Sequence, residues 1–72
     1  MQTSQIETIT KSHFLKLPVV SARSGLSRSS IYLAIQQGTF PKPIKIGKRS
    51  VAWVSAEIDA WIAEKIKKSS VN

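Results

Sequence analysis

The chain contains no cysteine, which excludes disulfides and thiolate metal sites and fits a reducing compartment. It has one histidine, His13, and four carboxylates, Glu7, Glu57, Asp59 and Glu64. Three of those carboxylates fall on one predicted helix, so no paired acid–base site assembles. The serines are numerous but have no base to activate them, and no glycine-rich phosphate loop is present. These absences argue against an enzyme and leave no cofactor or metal to expect. No apolar run approaches the roughly 18 residues of a membrane span. Residues 1–7 lack the basic start and apolar centre of a signal peptide, so the expectation is a soluble, cytoplasmic protein.

The most informative absence is that of negative charge. From Thr8 to Ala56 there is no acidic residue, while Lys11, Lys16, Arg23, Arg28, Lys42, Lys45, Lys48 and Arg49 lie in that window. With a net charge of +7 and a pI near 10.3, the chain presents a field that polyanions feel at long range. Seventy-two residues make one domain, which buries only roughly 60% of the surface exposed on unfolding.

Local signals predict three helices and a hairpin. The first helix begins at Pro18, whose fixed φ suits a first turn, and ends at Gly25. Arg23 sits where a cation complements that helix's C-terminal dipole. Ser27 caps a second helix running from Arg28 to about Gln37, with Leu26 packing back just before the cap. Its apolar residues Ile31, Ala34 and Ile35 form one stripe, and Gly38 stops it. Phe40-Pro41-Lys42-Pro43 is irregular, because each proline biases the residue before it toward extended geometry. Strands at about Ile44–Ile46 and Val51–Val54 follow, and Gly47 offers the positive φ of a tight turn between them. Val51 and Trp53 share one face of the second strand, Ala52 and Val54 the other. Ser55 caps the last helix, with Glu57 and Asp59 at its positive end and Ile58, Trp61, Ile62 and Ile66 at helical spacing.

The expected fold is therefore mainly α with a small β-hairpin, a three-helix winged helix-turn-helix. Residues 1–13 read as a flexible arm, 14–68 as the domain and 69–72 as a flexible tail. The expected core is Leu17, Val20, Leu26, Ile31, Ile35, Phe40, Ile44, Val51, Trp53, Ile58, Trp61 and Ile62.

Two helices joined by a tight Gly-Leu-Ser turn, with small polar residues opening the second, match the pattern of a helix that enters the DNA major groove. Ser27, Ser29 and Ser30 offer hydroxyls to phosphates or base edges, and Arg28 offers a forked contact. Tyr32 and Gln36 follow at one-turn intervals, on the face opposite Ile31 and Ile35. Capped hairpins with exposed serines also occur in proteins that bind nothing, Ser27 reads as a structural cap before it reads as a base contact, and Tyr32 can equally cover the core edge with its hydroxyl in solvent. Lys45, Lys48, Arg49 and Ser50 cluster at the second turn, as a wing along a phosphate backbone requires, and Lys42 in the connector is a further backbone contact. A basic turn that only solubilises is common, but one that follows a helix-turn-helix in a chain this basic points to duplex DNA. Trp53 and Trp61 lie on apolar stripes, so they read as core rather than as stacking platforms for unpaired bases.

Residues 16–66 resemble the AlpA family of prophage and mobile-element regulators, within the wider MerR-like and excisionase-like winged-helix group. The resemblance rests on Leu17-Pro18, on the run Ser24 to Tyr32, on Gly38-Thr39-Phe40-Pro41-Lys42-Pro43, on Ile46-Gly47 with Arg49, on Ala52-Trp53 and on Asp59-Ala60-Trp61-Ile62. It implies a DNA-binding regulator from a prophage, satellite or genomic island, associated with the nucleoid. Such a regulator either controls transcription of an integrase gene or acts as an excisionase. The implied partners are double-stranded DNA at an attachment site or promoter, a tyrosine integrase, and further copies of the chain side by side on DNA. Many family members carry a basic residue after the Ile-Tyr pair, whereas Leu33 and Ala34 follow Tyr32 here. That departure leaves Arg28 as the one charged base-reading candidate on the second helix. A different class of function fits the same fold: a protein-interaction module that inhibits a host regulator or contacts an integrase.

Overall fold

The computed structural model describes residues 12–71 and contains three helices and a three-stranded antiparallel sheet. In chain order these are β1 (Phe14–Leu15), α1 (Leu17–Ser24), α2 (Arg28–Gln36), β2 (Ile44–Lys45), β3 (Val51–Val54) and α3 (Ser55–Val71). Of the expected arm, residues 1–11 lie outside the described residues. Among the described residues no helix is long and apolar enough to cross a membrane.

α1 starts one residue before Pro18, after an extended Lys16 whose carbonyl accepts from Val19 and Val20 N–H at 3.0 Å each. It ends on Gly25, whose φ of 78° is the left-handed geometry that glycine enters without a Cβ clash. Two hydroxyls that the sequence pattern did not single out lace the turn that follows. Ser21 Oγ donates to the Leu26 carbonyl at 2.6 Å, and Leu26 N–H donates to Ser24 Oγ at 3.2 Å. The angle between α1 and α2 is thus fixed by bonds that otherwise-orphaned backbone groups at the helix junction require.

Ser27 caps α2 as expected, accepting from Ser30 N–H at 3.2 Å. Beyond Gln36, Gln37 forms the cap, Gly38 turns left-handed at φ 76°, and Thr39 N–H donates to the Ala34 carbonyl at 2.9 Å.

The sheet has the order β1-β3-β2, with Phe14 opposite Val54, Leu15 opposite Trp53, Ile44 opposite Ala52 and Lys45 opposite Val51. β1 was not anticipated. It joins the far end of the sequence to β3, and Ser55 secures it: Ser55 N–H donates to the His13 carbonyl at 2.7 Å while Ser55 Oγ accepts from His13 N–H at 2.8 Å. The Ser55 hydroxyl, expected to cap α3, is therefore engaged with β1 instead. α3 continues through Val71, past the Lys68 boundary read from the sequence.

Val20, Ile31, Phe40, Trp53 and Ile58 form the buried core, with Leu15, Leu17, Leu26, Ala34, Ile35, Trp61 and Ile62 packed against it. Two expected core residues are exposed, Ile44 at 42% and Val51 at 38%. Ile44 belongs to the sheet face that Phe14, Ala52 and Val54 share, opposite the face of Leu15 and Trp53 that packs into the core of the described residues. Val51 is on the Trp53 face but two residues further along the strand, beside Lys45. Ala52, whose burial was not expected, is small enough to be covered by its larger neighbours. Each buried aliphatic side chain contributes about 1.5–3 kcal/mol, a large share of the stability of so small a domain.

A candidate nucleic-acid interface

α2 is positioned from below by Ile31, which is fully buried, and its opposite face is open to solvent. With 3.6 residues per turn, the row most directly opposed to Ile31, Ala34 and Ile35 is Ser29, Leu33 and Gln36. All three are exposed, and with Tyr32 and Ile35 they border one shallow depression. Leu33, which sequence reasoning treated only as a missing charge, is 54% exposed against 38% for Tyr32. The Tyr32 ring leans toward the sheet, 6.4 Å from the Trp53 ring at 59°. Tyr32 therefore stands at the flank of the helix rather than at the centre of its open face, in line with its alternative role at the core edge.

Ser27, Arg28 and Ser30 are exposed at the N-terminal turn. Much of the Ser27 hydroxyl's capacity is spent locally, since besides capping it donates to Ser30 Oγ at 3.0 Å and lies 3.4 Å from Ser29 Oγ. Three serine hydroxyls thus form one small cluster at the positive end of the helix dipole.

The β2–β3 turn is closed by Ile46 N–H donating to the Ser50 carbonyl at 2.9 Å, leaving Gly47, Lys48 and Arg49 as the loop. Gly47 does not adopt a positive φ, so the tight-turn role expected of it does not hold. A three-residue loop spreads the reversal over more backbone angles than a two-residue turn does. A Cβ there would meet Ser50 at an ordinary 3.6 Å. Lys45, Lys48 and Arg49 are exposed and Ser50 is half-buried. Lys45 shares the sheet face of Trp53, so it projects from the side on which Tyr32 rests.

The connector between α2 and β2 is gripped by both tryptophans. Trp53 Nε1–H donates to the Pro41 carbonyl and Trp61 Nε1–H to the Thr39 carbonyl, each at 2.9 Å. Phe40 between them is buried edge-on to Trp61, with centroids 4.9 Å apart. Helix and hairpin are therefore held in one frame, with Lys42 exposed on the connector.

The basic residues divide by partner. Arg23 pairs with Asp59 of α3, tying α1 to α3 and removing one cation from the open surface. Arg28, Lys42, Lys45, Lys48 and Arg49 meet no carboxylate among the described residues. Their charge is left to act outward.

The family described as "Prophage CP4-57 regulatory protein (AlpA)" matches residues 13–66. The chain is 45% identical over 58 residues to the uncharacterized protein ORF88 of Enterobacteria phage P4, an alignment covering 81% of this chain and 66% of that one. It is also 37% identical over 59 residues to the DNA-binding transcriptional activator AlpA of Escherichia coli K12, covering 74% of this chain and 84% of that one. The chain thus spans just under two thirds of the phage P4 relative's length. No solved structure matches significantly.

Proposed function

The chain belongs to the AlpA family of prophage regulatory proteins, and from that membership we propose that it binds double-stranded DNA sequence-specifically, as an excisionase, as a regulator of integrase transcription, or as both. The observation that carries this reading is the pairing of an exposed α2 face with a carboxylate-free basic hairpin, both fixed to one connector. α2 enters the major groove, with Arg28, Ser29 and Gln36 offered to base edges and Ser27 and Ser30 to the adjacent phosphate. Lys42, Lys45, Lys48, Arg49 and Ser50 follow the backbone. Copies bound side by side and contact with a tyrosine integrase extend the same reading.

Fluorescence anisotropy on labelled duplexes tests it. A duplex carrying the element's attachment site or integrase promoter binds more tightly than a scrambled duplex. The logarithm of affinity falls against log salt with a slope of about −3 to −5, as expected for four or five phosphate contacts. Binding to no duplex at about 50 mM salt overturns the proposal. A reconstituted excision assay and a promoter reporter then separate the two roles.

A second reading, a protein-contact module, draws on the sheet face turned away from the helices. Phe14, Ile44 and Val54 line an open apolar depression there with Ser12 and His13. Loss of integrase or host-regulator binding in a Phe14→Ser variant that still binds DNA assigns that face to protein.

A further inference from the structure

Leu33 occupies an unusual place for a large aliphatic side chain. It is the middle residue of the row Ser29, Leu33, Gln36, the row farthest from the buried stripe of α2. Most of the side chain is exposed, and among the described residues the cluster around Ile31 draws on Ala34 and Ile35 and not on Leu33. The stability of the fold therefore does not require leucine here, and helix propensity would be met as well by lysine or glutamine. Its neighbours in the depression are Ser29, Tyr32 and Gln36 with Ile35 at the edge, the only charge on α2 is Arg28, and the sequence carries no carboxylate from Thr8 to Ala56 while it holds eight basic residues. A basic setting of this kind suits a polyanion, not an apolar protein surface. Within a major groove, the apolar group that a base pair presents is the C5-methyl of thymine.

We infer that Leu33 reads a thymine methyl at the centre of the α2 footprint, so that the preferred site carries an A·T pair there. Gln36, one turn further along the same row, has the amide that pairs bidentately with adenine, and it reinforces the same preference. Arg28, five residues before Leu33, lies on the flank, where a guanine or a phosphate is within its longer reach. This inference rests on the DNA-binding proposal and specifies what its helix recognises.

The test uses the full chain and a duplex selected by it from a randomised pool. Each thymine in the selected duplex is replaced singly by uracil, which removes the methyl and leaves the pairing edge intact. The parent protein should lose about three- to tenfold in affinity at one or two positions and little elsewhere, the size expected for one buried methyl. Leu33→Ala should lose a similar factor on the thymine duplex and become indifferent to uracil at those positions. Leu33→Gln should show the same indifference, and Arg28→Ala should keep the parent's uracil response. Equal binding to thymine and uracil duplexes by the parent overturns the inference while leaving DNA binding intact. Uniform weakening of Leu33→Ala, with uracil sensitivity retained, also overturns it. So does a Leu33→Ala protein that binds both duplexes like the parent but loses promoter activation, which would assign Leu33 to a protein contact. Failure to bind any duplex defeats the underlying proposal instead.

Discussion

The two elements that face outward from this domain are built in opposite ways. α2 is anchored through a fully buried Ile31 and closed at both ends, by Ser27 and by the left-handed Gly38. It carries one charge, Arg28. From Ile44 to Val51 the hairpin buries no side chain fully, and its turn is closed by the Ile46–Ser50 backbone bond, yet it carries Lys45, Lys48 and Arg49. Directional hydrogen bonds to base edges demand a support that does not shift, whereas attraction to phosphate is tolerant of position. On the DNA-binding reading proposed above, packing is concentrated where discrimination is needed, and charge where only proximity is needed.

The largest effect is expected from removing the frame that both elements share. Trp53→Ala leaves a large cavity beneath Tyr32 and releases the Pro41 carbonyl, at an expected cost of about 3–5 kcal/mol. For a domain of this size that approaches the whole folding free energy, so circular dichroism should show a broad or absent thermal transition. Arg28→Ala acts on the helix alone. It should cost about 1–3 kcal/mol on the preferred duplex and much less on a scrambled one, as read by anisotropy. Retention of full discrimination would place Arg28 on phosphate rather than on a base.

Lys48→Ala and Arg49→Ala act on the hairpin alone. Each should weaken binding to all duplexes about equally and reduce the steepness of the salt slope by about one unit. A sequence-dependent loss would erase the division between the two elements. The smallest effects separate the glycines. Gly38→Ala forces a side chain into left-handed backbone and should destabilise by about 1–2 kcal/mol, while Gly47→Ala should stay within about 0.5 kcal/mol in thermal melts.

What could be read from the sequence was what local chemistry decides. Ser27, Gly25 and Gly38 mark helix ends because the groups they satisfy lie within four residues of them. The alternation along β3 was equally legible, with Ala52 and Val54 opposite Trp53. Which of those faces is covered was not, because that depends on how far the helices reach and on β1. Two residues, Phe14 and Leu15, carry no period, and their partners lie about forty positions away in the chain. Ser55 shows the same limit: a serine before a helix reads as a cap until a distant strand claims its hydroxyl. For the open face of α2, the one-turn spacing of Arg28, Tyr32 and Gln36 drew attention to polar residues. The exposed Leu33 beside them was legible in principle from the helical wheel, but an apolar residue gives no chemical cue to an open face.

The two indole clamps on the connector have a consequence for observing this protein. The chain has only two tryptophans, and both donate to carbonyls within residues 39–41. Trp53 is sealed from water, while Trp61 is partly open beneath the Lys65 ammonium, 5.4 Å from its ring. Their emission should therefore differ in colour and in access to soluble quenchers. An unlabelled sample thus carries its own optical gauge of the joint between helix and hairpin, with one emitter on the dry side of that joint and one on the wet side.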